Sequence, residues 1–118
     1  EEQALRMSAS FGGGIGRMRQ TCGAACGMFL LAGLDKGAVD GKDREGKAAN
    51  YALVQELAEE FKKRNGSMIC AELLGLKKPE GSSTPEARTE QYYAKRPCAK
   101  MVEEAATIWA EYLEKQQE

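Results

Sequence analysis

The chain of 118 residues is 42% hydrophobic and 30% charged, and it is long enough for one small domain with a modest core. Its 17 Lys and Arg nearly balance its 18 Asp and Glu, so the chain has no general field that would attract nucleic acid or an anionic membrane. It contains no histidine, which excludes Ser-His and Cys-His nucleophile pairs, mixed Cys/His zinc fingers and His-ligated haem, and leaves four cysteines as its most distinctive groups.

The first part of the chain predicts two helices separated by a glycine-rich loop. A first helix is expected over residues 2–10, and the glycines of residues 11–16 end it because they open backbone conformations that other residues avoid. A second helix is expected over residues 21–34, where cysteines and apolar residues recur with the spacing of one helical face. Apolar side chains surround this second helix almost completely, which is typical of a central, buried helix.

A long amphipathic helix follows. Asp43 is expected to cap its start, and the pair Asn65-Gly66 is expected to end it. Charged residues lie opposite a continuous apolar stripe, so the helix should pack against the core along one face. The predicted stripe consists of Tyr51, Val54, Leu57, Ala58 and Phe61.

The last part of the chain predicts a short helix over residues 67–74, a polar segment over residues 77–96, and a final helix that Pro97 opens at its first position. The predicted buried face of the final helix consists of Met101, Val102, Ala105, Ala106, Trp109, Tyr112 and Leu113. The spacers are short, which favours an all-α fold: a small antiparallel bundle of about four to five helices that forms a single domain over residues 1–118.

The setting in which the cysteines work can also be predicted. The chain shows no secretory signal and no apolar run of the about 20 residues that a bilayer span requires. Its cysteine density is well below that of a small disulfide-rich scaffold. We therefore expect a reducing, cytoplasmic location without membrane insertion, where grouped thiols indicate metal or redox chemistry more often than structural disulfides.

Three of the four cysteines, Cys22, Cys70 and Cys98, lie near predicted helix starts. There the exposed N–H groups and the helix dipole favour thiolate and should lower the thiol pKa, and thiolate is both the redox nucleophile and the metal ligand. Cys22 and Cys26 stand four residues apart on one helical face, so both sulfurs could bind the same metal. The alternative is that the cysteines pack as small hydrophobic residues, which explains Cys26 as well as a functional role does.

The glycine-rich loop, residues 12–16, is similar to the beginning of a phosphate-cradling loop. No strand precedes it and no Gly-Lys-Ser/Thr ending or βαβ pattern follows, so a nucleotide site is disfavoured. We expect instead that its glycines let the backbone pass close to another helix or to a bound group. The candidate cofactor-binding residues are Gly12, Gly13, Gly14 and Arg17. Arg17 and Arg19 could pair with a thiolate or an anionic cluster, although ordinary solvated charge is the favoured interpretation.

Residues 11–27, 66–75 and 96–98 together resemble a known family in their order and spacing. The motif Cys22-Gly23-Ala24-Ala25-Cys26-Gly27 matches the Cys-Gly-Ala-x-x-Gly motif of a bacterial family of small redox-active proteins with four cysteines. The resemblance covers nearly the whole chain. It implies an all-helical fold and a cysteine-based redox or metal-cluster role.

The chain departs from the family pattern at one cysteine. In that pattern the first cysteine lies before the glycine-rich loop, and the other three match Cys22, Cys70 and Cys98, while Cys26 occupies a variable position. The resemblance therefore implies either that an N-terminal helix carrying a further cysteine is absent from the chain or that Cys26 replaces that cysteine. The start at Glu1 instead of Met favours the first interpretation.

The leading hypothesis is a redox protein acting by thiol/disulfide exchange or electron transfer, with Cys22 as the attacking thiol and Cys98 or Cys70 resolving the mixed disulfide. Its expected partner is a redox protein or a small thiol, and a second copy of the chain is a further candidate. In the alternative hypothesis, an iron–sulfur cluster or zinc is bound, although the spacings match neither a ferredoxin run nor paired Cys-x-x-Cys motifs. The expected metal ligands are Cys22, Cys26, Cys70 and Cys98. A third hypothesis is a non-catalytic helical interaction module.

Overall fold

The computed structural model describes residues 1–76, 85, 87, 89, 90 and 97–117, and within these residues the chain is an all-α bundle, as the sequence predicts. The helices are α1 (Glu2–Ala9), α2 (Gly23–Lys36), α3 (Arg44–Asn65), α4 (Cys70–Leu73) and α5 (Cys98–Gln116). The predicted polar segment over residues 77–96 lies almost entirely outside the described residues. In the part of the chain that the structure describes, no helix has the length and apolar character needed to cross a membrane.

The core forms where α2, α3 and α5 pack against one another. Its buried residues are Ala25, Met28, Ala32, Leu53, Leu57, Phe61, Met101, Ala105 and Ile108. Phe61 and Met28 are the largest side chains that are almost completely buried. The short helix α1 contributes no buried residue to this core.

Local signals define both ends of α3. The Asp43 side chain accepts a hydrogen bond from the Gly46 N–H at 2.9 Å, which satisfies a backbone donor that the first turn leaves without an intrahelical partner. At the other end Gly66 adopts a left-handed conformation, with a φ of 88°, and its N–H donates to the carbonyl of Lys62. The predicted cap and stop signal of this helix are therefore both confirmed.

The buried face of α3 is rotated relative to the predicted stripe. Leu57, Ala58 and Phe61 are buried as expected, whereas Tyr51 is exposed and Leu53 is buried in its place. Leu53, Leu57 and Phe61 follow one i, i+4 row, and this row meets α2 and α5 in the core. The sequence contains two overlapping apolar rows, and the packing partners decide between them.

The buried faces of α2 and α5 are also narrower than the sequence predicts. The predicted α5 residues Val102, Ala106 and Leu113 are exposed, while Ile108, which was not predicted to be buried, lies in the core. Three large apolar side chains of α2 are exposed to solvent, namely Leu30, Leu31 and Leu34. The helix α2 is central, as expected, but it is buried on only part of its surface, because α3 and α5 are the described helices that pack against it extensively.

Truncating Phe61 to alanine should destabilise the bundle strongly. Phe61 has no exposed surface, so its loss leaves a cavity at the centre of the three-helix core. We expect the free energy of unfolding to fall by about 3–5 kcal/mol, measured by chemical denaturation followed by circular dichroism. Leu34→Ala is the control, because Leu34 is 86% exposed and its truncation should change stability by less than about 0.5 kcal/mol. Equal losses for the two variants would contradict this packing.

Candidate functional site

An antiparallel bridge between Thr21 and Ile69 holds the beginnings of α2 and α4 together. Beside it, the backbone N–H groups of Cys22 and Cys70 each donate to a carbonyl of the opposite segment, at 2.7 and 2.6 Å. Side chains alternate along paired extended segments, and both cysteines directly follow the bridged residues. Cys22 and Cys70 therefore lie on the same face of the bridge, as diagonal neighbours.

The structure places three cysteines at helix starts, as the sequence predicts. Cys22 is the N-cap of α2, and Cys70 and Cys98 are the first residues of α4 and α5. The helix α2 begins at Gly23, two residues later than expected. Cys26 lies in the first turn of α2, where its N–H donates to the carbonyl of Cys22 at 2.9 Å.

The cysteines differ in their access to solvent, and all four are free thiols. Cys98 is exposed and Cys22 is half-buried. Cys70 and Cys26 are buried, with 7% and 8% of their surface exposed. Cys98 is therefore the sulfur that a macromolecular partner can reach most easily.

Burial raises the pKa of Cys22 above its ordinary value. The backbone N–H groups of Ala25 and Ala24 act in the opposite direction, although the Cys22 side chain accepts no cap hydrogen bond from them. Negative charge on Cys70 or Cys98 would raise the pKa further. The expectation that a helix start lowers this pKa is therefore wrong for Cys22, because desolvation outweighs the helix N–H groups.

Cys22 is the centre of the cysteine group. It interacts electrostatically with Cys70 and with Cys98, and it also raises the pKa of Cys26, which burial raises first. The charge on one thiolate changes the pKa of another thiol mainly when the two lie close together. Among the described residues, Cys22 thus couples to each of the other three thiols.

The cysteines do not form a preformed metal cage. Across the described ranges, which include all four cysteines, no group of three or more Cys, Asp, Glu or His side chains could hold a metal ion. The predicted ligand set of Cys22, Cys26, Cys70 and Cys98 would have to rearrange in order to bind zinc or an iron–sulfur cluster. Metal binding by these residues stays a prediction.

The glycine-rich loop is held by its own backbone. The N–H groups of residues 15–20 each donate to a carbonyl within residues 10–15, so these donors are already engaged. Ile15, Arg17 and Arg19 have φ values of 66°, 64° and 61°, in the left-handed region that residues with a side chain seldom occupy. The hydrogen bonds within the loop maintain this strained path.

Gly14 lets the loop pass directly against α4, as expected for one of these glycines. It is buried with a φ of 74°, and a Cβ atom at this position would lie 2.5 Å from the Cβ of Cys70 and 2.7 Å from the Cα of Arg19. Gly12 is exposed, and Gly13 and Arg17 are half-buried. The assignment of these four loop residues to cofactor binding stays a prediction.

Arg19 belongs to the cysteine site, so the less favoured interpretation of its sequence position, pairing with a thiol group, is the correct one, and the expectation of an ordinary solvated charge is wrong. Its side chain is buried, with 3% exposed, and its Nη1 donates to the Sγ of Cys70 at 3.7 Å. Its carbonyl also accepts a hydrogen bond from the N–H of Ala71. The available signal was the adjacent glycine-rich loop, which can fold an arginine inward, but nothing in the spacing indicated a cysteine 51 positions away.

The fold and the site together define a small helical protein built around a group of free cysteines. The chain belongs to the family described as Putative redox-active protein (C_GCAxxG_C_C), whose family model matches residues 1–112. The family resemblance of the sequence is thereby confirmed, and with it the redox-active class. No curated protein and no solved structure matches the chain.

The raised pKa of Cys22 predicts slow alkylation at neutral pH. In the folded protein, the rate with iodoacetamide should reach half its maximum at a higher pH than for the same cysteine in urea, because burial disfavours the thiolate. Peptide mass spectrometry of samples alkylated across a pH series measures both profiles. A half-maximum at lower pH in the folded protein would contradict the burial effect.

The raised pKa of Cys22 also predicts how the stability of the folded chain changes with pH. The folded chain holds the Cys22 proton more tightly than the unfolded chain does, so the stabilisation is fully present below the pKa of the unfolded thiol. It is lost as the pH rises through the higher pKa of the folded thiol. Chemical denaturation on the alkaline side of neutrality should therefore show stability falling with pH, and less so in Cys22→Ala.

Proposed function

We propose that this chain is a thiol/disulfide redox protein in which Cys22 is the central thiol. The observation that carries the proposal is the position of Cys22: its N–H donates to the carbonyl of Met68, two residues before Cys70, and its carbonyl accepts from the N–H of Cys26. In agreement with this position, negative charge on Cys70 or Cys98 would raise the pKa of Cys22. Thiol exchange proceeds by attack of one sulfur on another and therefore needs sulfurs that can approach each other. A thiol that lies near other cysteines can join an intramolecular disulfide with them.

Cys98 is the sulfur that we expect to meet the partner first. It is exposed, whereas Cys22 is half-buried and has a raised pKa. The sequence favoured Cys22 for the first attack. Its burial favours the reverse order instead, with Cys98 attacking and Cys22 resolving.

The thiol/disulfide exchange consists of two successive substitutions at sulfur, and each one forms one bond while it breaks another. The Cys98 thiolate attacks a partner disulfide, which forms a mixed disulfide and releases the first partner thiolate. Cys22 then attacks the Cys98 sulfur, the Cys22–Cys98 bond forms, and the second partner thiolate leaves. Two electrons pass from the cysteine pair to the partner, and the protons of the two protein thiols end on the released partner thiols. An oxidised chain and a dithiol partner run the same steps in reverse.

A redox titration tests this proposal. The protein is equilibrated in glutathione buffers of graded ratio and quenched with acid, and its free thiols are counted by maleimide labelling and mass spectrometry. We expect a reversible loss of two thiols. Cys98→Ser should slow oxidation by glutathione disulfide by about tenfold or more, whereas Cys26→Ala, which changes a buried cysteine, should not. Four free thiols throughout the series, or equal rates in the two variants, would contradict the proposal.

Metal binding is the second candidate function. Cys22 and the other three cysteines would supply the four thiolate ligands that zinc and iron–sulfur clusters use, after rearrangement of the side chains. Elemental analysis of anaerobically prepared protein tests this candidate. Stoichiometric metal that is lost in Cys22→Ser would favour it over thiol exchange, and metal-free protein with a reversible disulfide would exclude it.

A further inference from the structure

Three cysteines form a series from solvent to the core. Cys98 is exposed, Cys22 is half-buried and Cys70 is buried. Cys22 thus has the intermediate exposure of the three, and negative charge on either of the others would raise its pKa. It also lies on the same face of the Thr21–Ile69 bridge as Cys70. Diagonal neighbours across such a pair lie about 7–8 Å apart, slightly beyond the Cα separation of about 4.4–6.8 Å in disulfides, so a small shift would allow a bond.

The inner end of the series carries a fixed positive charge. The guanidinium of Arg19 donates to the Sγ of Cys70 at 3.7 Å, and both side chains are buried. A guanidinium is charged at all working pH values and is held here by a loop with extensive internal hydrogen bonding. A hydrogen bond from a guanidinium fixes the position of the sulfur that accepts it.

On the basis of the proposed function, we propose that Cys98, Cys22 and Cys70 form an inward thiol relay, in which Arg19 is a positioning residue that prepares Cys70 to take over the disulfide from Cys98. The Cys70 thiolate attacks the Cys22 sulfur of the Cys22–Cys98 disulfide. The Cys22–Cys70 bond forms as the Cys22–Cys98 bond breaks, and Cys98 leaves as a thiolate that takes a proton from solvent. This exchange needs no external oxidant or reductant, because one disulfide replaces another.

The relay has a functional consequence. The disulfide moves from an exposed position to a buried one, and Cys98 is restored as a free thiol at the surface. A partner would then exchange electrons through Cys98, while the oxidised pair is stored beside Arg19, shielded from other thiols.

The order in which the disulfides appear tests the relay. Reduced protein is mixed with excess glutathione disulfide, samples are quenched with acid and N-ethylmaleimide over time, and linked peptides are quantified by mass spectrometry. We expect Cys22–Cys98 to appear first and to decay as Cys22–Cys70 accumulates. In Arg19→Gln the second step should slow by about tenfold or more, and Arg19→Lys should recover part of the rate, because lysine keeps the charge.

Arg6→Gln is the matched control. Arg6 lies on α1, where it pairs with Glu2 in solvent, so its loss removes one arginine without touching the cysteines. Equal rates of the second step in Arg19→Gln and Arg6→Gln would overturn the relay, and so would a Cys22–Cys70 bond that forms without delay. A stable Cys22–Cys98 end product would also overturn the relay and leave the proposed function intact. The absence of any disulfide with Cys22 would overturn both.

A second variant covers the case in which Arg19→Gln does not fold, as judged by circular dichroism. In Cys98→Ser the first link of the relay is missing while Arg19 is retained. We expect the Cys22–Cys70 bond to form at least about tenfold more slowly with glutathione disulfide. An unchanged rate would show that the buried pair is oxidised directly, and the relay would be overturned.

Discussion

Replacing Cys22 by serine should abolish every reversible disulfide that the folded chain forms. Cys22 couples electrostatically to the three other cysteines and lies beside Cys70 at the Thr21–Ile69 bridge. Serine keeps the size and the N-cap position but cannot form a disulfide, so the helix start should be preserved while the redox chemistry is lost. In a glutathione titration we expect Cys22→Ser to show, at most, a mixed disulfide between Cys98 and glutathione. Maleimide counting by mass spectrometry measures this outcome.

Cys26→Ala is the matched control for this experiment. Cys26 is on the same helix, four residues further on, and it is buried among core side chains. The variant should retain the reversible loss of two thiols, since neither Cys98 nor Cys70 depends on Cys26 for a partner. A protein disulfide that persists in Cys22→Ser would disprove the central role of Cys22.

Gly14→Ala should damage both the stability of the chain and the surroundings of Cys70. The φ of 74° is unfavourable for alanine, and the added methyl group would lie 2.5 Å from the Cβ of Cys70 and 2.7 Å from the backbone nitrogen of Gln20. The left-handed conformation contributes about 1–2 kcal/mol and the overlap about 1–3 kcal/mol. We therefore expect the free energy of unfolding to fall by roughly 2–5 kcal/mol in chemical denaturation. Alkylation of Cys70 in the native state should become faster, as the loop moves away.

The Gly16→Ala variant separates the cost of the left-handed conformation from the cost of the steric overlap. Gly16 has a similar φ of 58°, but a Cβ atom there would meet no other atom within 4 Å. This variant should therefore show only the conformational part, about 1–2 kcal/mol, with Cys70 alkylation unchanged. If Gly14→Ala were no less stable than Gly16→Ala, the close packing of the loop on Cys70 would be contradicted.

Features that depend on a few neighbouring residues could be predicted from the sequence. The cap at Asp43 and the left-handed stop at Gly66 are of this kind, and so is the position of three cysteines at helix starts. Each is determined within one turn by backbone hydrogen bonding and glycine conformation. This local information was sufficient for the all-α fold.

Features that depend on which segments meet could not be predicted in the same way. Tyr51 and Leu53 lie on overlapping apolar rows of α3, and only the contacts with α2 and α5 decide which is buried. The helix start at Cys22 favours thiolate, but desolvation by the surrounding chain is larger and has the opposite sign. Arg19 meets Cys70 because a strained loop turns it inward, across 51 positions of sequence.

The disulfide linkage map of the oxidised protein tests the central role of Cys22 most directly. The chain is oxidised with glutathione disulfide, quenched with acid and digested, and all cysteine-linked peptides are assigned by mass spectrometry. We expect every intramolecular disulfide to contain Cys22, with Cys98 or Cys70 as its partner. A dominant Cys70–Cys98 or Cys26-linked disulfide without Cys22, or an oxidised sample with no protein disulfide, would contradict this account.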